Sequence, residues 1–272
     1  MVSKAVGQAF GFHGKVAIVV GGTGTPGMGR ATVLELAENG ADIVVAARRA
    51  ERLEALAKEV TALGQRCVTV PIDITAKGAP KSVVDKAMSE FGEIDFLVNT
   101  QFATVINELV DVEEEDWDRV QNTKLKSFWL MCKHVGRVMI QQKRGAIVNI
   151  SGVAGLYPES YAGVYAVAQA GIMWLTKYLA GELGPHKIRV NAIAPGLTHV
   201  ERNERTGIMS GECLRSYLDS TALGRIATAE EQARGIVFLL SDYASYINGH
   251  TLVIDGGPLP HWWRTRKTGE RI

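Results

Sequence analysis

"VAIVVGGTGTPGMGRATVLELAENGADIVVAARR", residues 16–49, decides the fold of this chain. Five apolar residues, Val16 to Val20, lead into a glycine-rich turn, an amphipathic stretch and a second β-branched run that ends at Ala47. A strand that is apolar throughout is buried on both faces, and the order strand, helix, strand implies a parallel pair with a right-handed crossover. The turn holds Gly21, Gly27 and Gly29. Glycines let the backbone turn tightly and come close to a ligand, and the helix behind them offers unpaired N–H groups to a pyrophosphate. The alternative is a tight strand-to-helix turn with no ligand.

The same alternation continues along the chain. Further strands are expected at 67–70, 95–98, 146–150, 188–193 and 251–254, beside 16–20 and 43–46. Amphipathic stretches lie between them near 29–39, 50–63, 79–91, 113–141, 164–183 and 228–241. This pattern predicts a doubly wound α/β fold of about seven parallel strands, with ligands at the carboxyl ends of the strands. Residues 1–272 are read as one domain. Within it, 196–228 has no strand pattern and is expected to form a lid or substrate loop, and 258–272 is a tail. A net charge of +1 gives no global field toward nucleic acid or membrane, and no apolar run approaches a membrane span. Three widely spaced cysteines argue against a disulfide framework and for a cytoplasmic setting. The six histidines form no ligand-spaced pair, so no metal site is expected.

Beyond the glycine turn the motifs become specific. They are "PIDIT" with Asp73, "FGEIDFLVN" with Asn99, "IVNIS", Tyr165, "RVNAIAPG" with Pro195 and Gly196, and "LVIDGG". In this order and spacing, from residue 15 to 257, the chain resembles a short-chain dehydrogenase/reductase. The resemblance implies that Asp73 meets an adenine, Asn99 supports the strand beside a nicotinamide cofactor, and Pro195-Gly196 flanks the nicotinamide. An NAD-preferring member carries an acid near Ala47; here Arg48 follows a neutral residue. An arginine there can pair with a 2′-phosphate, which favours NADP over NAD if a dinucleotide binds, or it can simply be solvated.

Several positions depart from the family pattern. Five residues, "GTGTP", separate Gly21 from Gly27 where the family has three, and Pro26 removes a donor from the loop. The family's "NNAG" is here "NTQF", Asn99 to Phe102, and a threonine is replaced by Val200. Counting 13 residues back from Tyr165 reaches Gly152, not the family's serine; Ser151 is next to it. The lysine four residues past the tyrosine is Gln169, which has no charge to favour a phenolate. The asparagine seven residues past Trp117 is Lys124. Lys124 either stands in for the missing cation beside Tyr165 or, the reading preferred from sequence, extends to solvent as Lys126 does.

Three functions follow from these departures. The first is a non-catalytic or structural subunit assembling with an active member of the family, through helices near 113–141 and 164–183. The second is an enzyme with rewired or non-redox chemistry using Tyr165. The third is an NADP-dependent alcohol dehydrogenase or ketoreductase that tolerates its substitutions. The first is preferred, because a new enzyme need not disturb its phosphate loop. A homo- or hetero-oligomer is expected. Trp262, Trp263 and the basic residues of the tail could dock on a neighbour or meet an acyl-CoA. His199 is expected at the surface, and Tyr157 and Tyr161 at a pocket or subunit contact.

Overall fold

A computed structural model describes residues 10–158, 161–205 and 208–258. Seven parallel strands form one sheet: β1 (Val16–Val20), β2 (Asp42–Ala47), β3 (Cys67–Pro71), β4 (Phe96–Asn99), β5 (Gly145–Ile150), β6 (Ile188–Pro195) and β7 (Thr251–Ile254). They lie in the order β3-β2-β1-β4-β5-β6-β7. This is the doubly wound sheet expected from sequence.

The period of two in β1 sends its side chains to two separate cores. Ala17 and Val19 join Val33, Leu36, Leu53, Ile236 and Val237 on one face. Those residues come from α1 (Met28–Glu38), α2 (Ala50–Ala62) and α9 (Ala229–Leu240). Ile18 and Val20 join Val83, Met131, Val135 and Leu179 on the other. There the helices are α3 (Ala79–Phe91), α5 (Ser127–Gln142) and α6 (Gly163–Leu183). The edge strands β3 and β7 are the least buried, since each has a neighbouring strand on one side only.

Two regions differ from the sequence reading. The stretch 113–141 is not one helix: α4 (Glu114–Gln121) and α5 are joined by a π-helical turn, Asn122–Lys126, with Lys124 at its centre. Such turns widen a helix by one residue and occur often at functional sites. The expected loop 196–228 carries two helices, α7 (Glu201–Arg205) and α8 (Gly211–Asp219). Of the tail, only Pro258 lies among the described residues, so the expectation for Trp262 and Trp263 falls outside them. No helix among the described residues is long and apolar enough to cross a membrane.

Candidate active site

The strand order reverses between β1 and β4, and a crevice opens there at the carboxyl ends of the strands. It holds a cavity of about 290 Å³ that runs from the glycine turn to Tyr165. Gly21 sits at φ +91, and a Cβ there would lie 2.5 Å from Thr100 Oγ1. A Cβ on Gly22 would lie 2.8 Å from the Gly29 carbonyl carbon, so the turn packs directly on the start of α1. Gly27 precedes that helix as its N-cap. The backbone scaffold of a dinucleotide site is therefore present.

Its phosphate end carries an acid of the protein's own. Glu201, the first residue of α7, donates its backbone N–H to Pro26 O at 2.8 Å. Its carboxylate accepts from Thr25 N at 3.3 Å and from both Nη atoms of Arg52, at 2.6 and 2.9 Å. Arg52 also donates to Thr23 O at 3.1 Å. A carboxylate thus takes donors of the kind that a dinucleotide's phosphates use, and two anions cannot share them. The Glu201 carboxylate competes with a pyrophosphate for the donors at this turn. Glu201→Gln should therefore raise NADP or NAD affinity by roughly tenfold, since a neutral amide repels phosphate less and releases Arg52. Calorimetry giving equal affinities for the two proteins would show that Glu201 is no obstacle.

At the other end stands Tyr165, on the first turns of α6. Gln169, one turn on and fully buried, donates Nε2–H to Tyr165 Oη at 2.6 Å. Gln169 Oε1 is buried with no hydrogen-bond donor among the described residues. Ser151 turns away from the tyrosine and donates Oγ–H to Gln169 O at 2.8 Å. Gly152 is the residue that faces it: a Cβ there would lie 3.2 Å from Tyr165 Oη and 2.6 Å from Gln169 Nε2. The Gln169 amide therefore fills the space into which a serine side chain would project.

Lys124 corrects the sequence reading. It does not reach solvent; it is 2% exposed, and its ammonium donates to Gln101 O at 2.9 Å and Ile150 O at 3.2 Å. The π turn aims it inward, where Nζ lies 4.7 Å from the Phe128 ring centroid and 5.9 Å from that of Tyr165. Burial, and secondarily the nearby Arg202 charge, draw its pKa down to about 7. The Arg202 guanidinium lies 3.5 Å above the Phe102 ring, which in turn is 5.3 Å from the Tyr165 ring. Val200 is buried beside them and also lines the cavity.

With this geometry in place, the relatives can be compared. A family model described as enoyl-(acyl carrier protein) reductase matches residues 22–258. The chain is a short-chain dehydrogenase/reductase. It is 37% identical over 245 residues to the 3-oxoacyl-(acyl-carrier-protein) reductase of Thermotoga maritima, covering 90% of this chain and 98% of that one. The Escherichia coli protein of the same name is 33% identical over 246 residues, with 90% and 98% coverage. Among solved structures, a putative short-chain alcohol dehydrogenase from Sinorhizobium meliloti superposes with a TM-score of 0.85 at 32% identity, covering 90% of this chain and 96% of that one. NAD+-bound xylitol dehydrogenase gives 0.84 at 30%, covering 90% and 99%.

The fold brings together only some of the residues that the short-chain dehydrogenase/reductase pattern singled out. Tyr165, Lys124, Gly27, Gly29, Pro195 and Gly196 line one cavity, and Gln169 adjoins it. Gly196 continues β6 by donating N–H to Ile254 O at 3.0 Å. Asn99 is buried behind the cavity and donates Nδ2–H to Asn149 Oδ1 at 2.9 Å, which ties β4 to β5. Asp73 accepts from Thr75 N and Oγ1 at 2.9 and 2.7 Å, and those bonds hold its carboxyl below the usual range. Arg48 is exposed and does not line the cavity; its neighbour Arg49 does. His199 is at the surface beside Glu204 Oε1 at 2.6 Å, and Tyr157 and Tyr161 are more than half exposed. Glu201, Arg202 and Arg52 carry no signal in the local sequence: Glu201 meets Arg52 across 149 residues, and Arg202 stacks on Phe102 from a different element.

Proposed function

We propose that this chain is a non-catalytic subunit that assembles with an active short-chain dehydrogenase/reductase. One observation carries the reading: a neutral amide, that of Gln169, stands at the position of the family's lysine and donates to the Tyr165 hydroxyl at 2.6 Å. The amide supplies no charge to favour the phenolate; the charges that act on the ring are those of Lys124, its Nζ 5.9 Å from the ring centroid, and of Arg202 on Phe102. Gly152 offers no hydroxyl to a substrate oxygen, and the Glu201 carboxylate stands on the phosphate turn. If a dinucleotide does bind, the cation nearest the end of β2 that lines the cavity is Arg49, which keeps NADP ahead of NAD. The experiment is purification from the native source: a stoichiometric partner of the same family supports the reading, and a lone, active homo-oligomer removes it.

The surface supports assembly. Val167, Trp174 and Tyr178 lie seven and four residues apart on α6 and are 46, 61 and 69% exposed. Trp117 of α4 and Trp129 of α5 are exposed as well. Such a stripe is costly in water unless it is covered. Trp174→Glu should convert a dimer or tetramer to smaller species, read by light scattering at micromolar concentration. A wild-type protein that is already monomeric there would count against assembly.

A second reading has one observation in its favour. Lys124 is a buried amine lining the same cavity as Tyr165, with a pKa near neutrality, as a proton-transfer group requires. On that reading the chain is an enzyme whose acid–base chemistry has moved from position 169 to position 124.

A further inference from the structure

We propose that the cavity beside Tyr165 binds a small organic carboxylate with an apolar body, gripped by Arg202. The proposal names the ligand of the site just described, and it rests on that reading only in taking the ligand to be bound without turnover.

The first argument is charge. Arg49, Lys124 and Arg202 line the cavity, and the one carboxylate among its lining residues, Glu201, is held by Arg52. Among the described residues no carboxylate pairs with Arg202: burial lowers its pKa, and the charge that opposes this is that of Tyr165. The Arg202 Nε donates to Asn203 Oδ1 at 3.0 Å, and neither Nη has an acceptor among the described residues. Guanidinium N–H groups held away from water without an acceptor are expensive, and proteins normally pair them. An incoming anion would supply that partner.

The second argument is shape. The Arg202 guanidinium carbon sits 3.5 Å over the Phe102 ring, and its two Nη groups have no acceptor among the described residues. A planar fork of N–H donors matches a carboxylate's two oxygens. Phe102 and Tyr165 then provide an aromatic wall for an alkyl or aryl body. The volume, about 290 Å³, is at the small end for ligand pockets and suits a compact acid. The third hydrogen of the Lys124 ammonium, beyond the two given to Gln101 O and Ile150 O, adds positive charge deeper in the same space.

The test is calorimetry on the full chain, with its partner if one co-purifies, in the absence of nicotinamide. The probes are 3-phenylpropionate and its neutral analogue 3-phenylpropionamide. The acid should bind at least about tenfold more tightly than the amide, and Arg202→Met should remove that preference. Arg202→Lys should restore only part of it, because an ammonium cannot make the planar pair. Equal binding of acid and amide to the unaltered protein, or no binding of the acid up to about 10 mM, overturns the proposal without any variant having to fold. Turnover of the acid or its thioester with nicotinamide would sink the non-catalytic reading instead, and leave the carboxylate site standing.

Discussion

Wild-type protein should gain about 4 kcal/mol of stability relative to a Lys124→Met variant as the pH is raised from 7 to 10. The sign follows from which state holds the proton. Burial lowers the folded-state pKa of Lys124 to about 7, against an ordinary lysine value of 10.5. Between those values the unfolded chain binds a proton that the folded chain has released, so wild-type stability rises with pH across that window. Below pH 7 both states are protonated, and the folded state carries the full cost of a buried ammonium. Methionine fills similar space without a charge, so its stability lacks this slope. It also leaves Gln101 O and Ile150 O without their donor, a loss that hardly depends on pH. Urea denaturation of both proteins at several pH values measures the difference. Parallel curves would mean that Lys124 does not titrate inside the protein.

The second large effect is on turnover. The isolated chain should show negligible nicotinamide-dependent activity on alcohols or ketones at neutral pH, and Gln169→Lys alone should not restore it. A lysine at 169 would bring a further cation to a cavity that already holds Lys124 and Arg202, while Gly152 still offers no hydroxyl. Gly152→Ser alone should fail for a different reason, since its side chain would meet the Gln169 amide. Changing Gly152→Ser, Gln169→Lys, Lys124→Asn and Glu201→Gln together removes these conflicts at once. That variant should exceed either single one by roughly 10²–10⁴-fold, the usual worth of positioned acid–base help. Robust turnover by the unaltered chain that Tyr165→Phe abolishes would mean that the site is rewired around Tyr165, and the subunit reading would fall.

The strands were legible because each is a short apolar run set off by glycine or polar residues, and burial on both faces leaves few other readings. β1 and β7 match their expected limits, and the other strands differ by one or two residues. The π turn was not legible: one extra residue hardly disturbs a helical period read over the span 113–141. Nor was α8, whose amphipathic face buries no residue fully and so leaves only a weak pattern. At the site, Gln169 could be placed as the residue one helical turn past Tyr165, and Gly152 by the spacing of the family that the chain resembles. Lys124 was misread because its neighbours look solvated. Its burial comes from carbonyls 23 and 26 residues away that local sequence does not reveal. The Glu201–Arg52 pair spans 149 residues, and nothing near either side chain announces it.

Glu201 and Arg202 are consecutive on one short helix, and this makes the two ends of the crevice thermodynamically linked. A dinucleotide that displaces the Glu201 carboxylate from Thr25 and Arg52 acts on the residue next to Arg202, whose guanidinium rests on the Phe102 ring. Whatever factor the dinucleotide imposes on the affinity of a carboxylate at Arg202, the carboxylate must impose on the dinucleotide in return. Any such coupling would join two ligands that never touch each other, through five residues of helix.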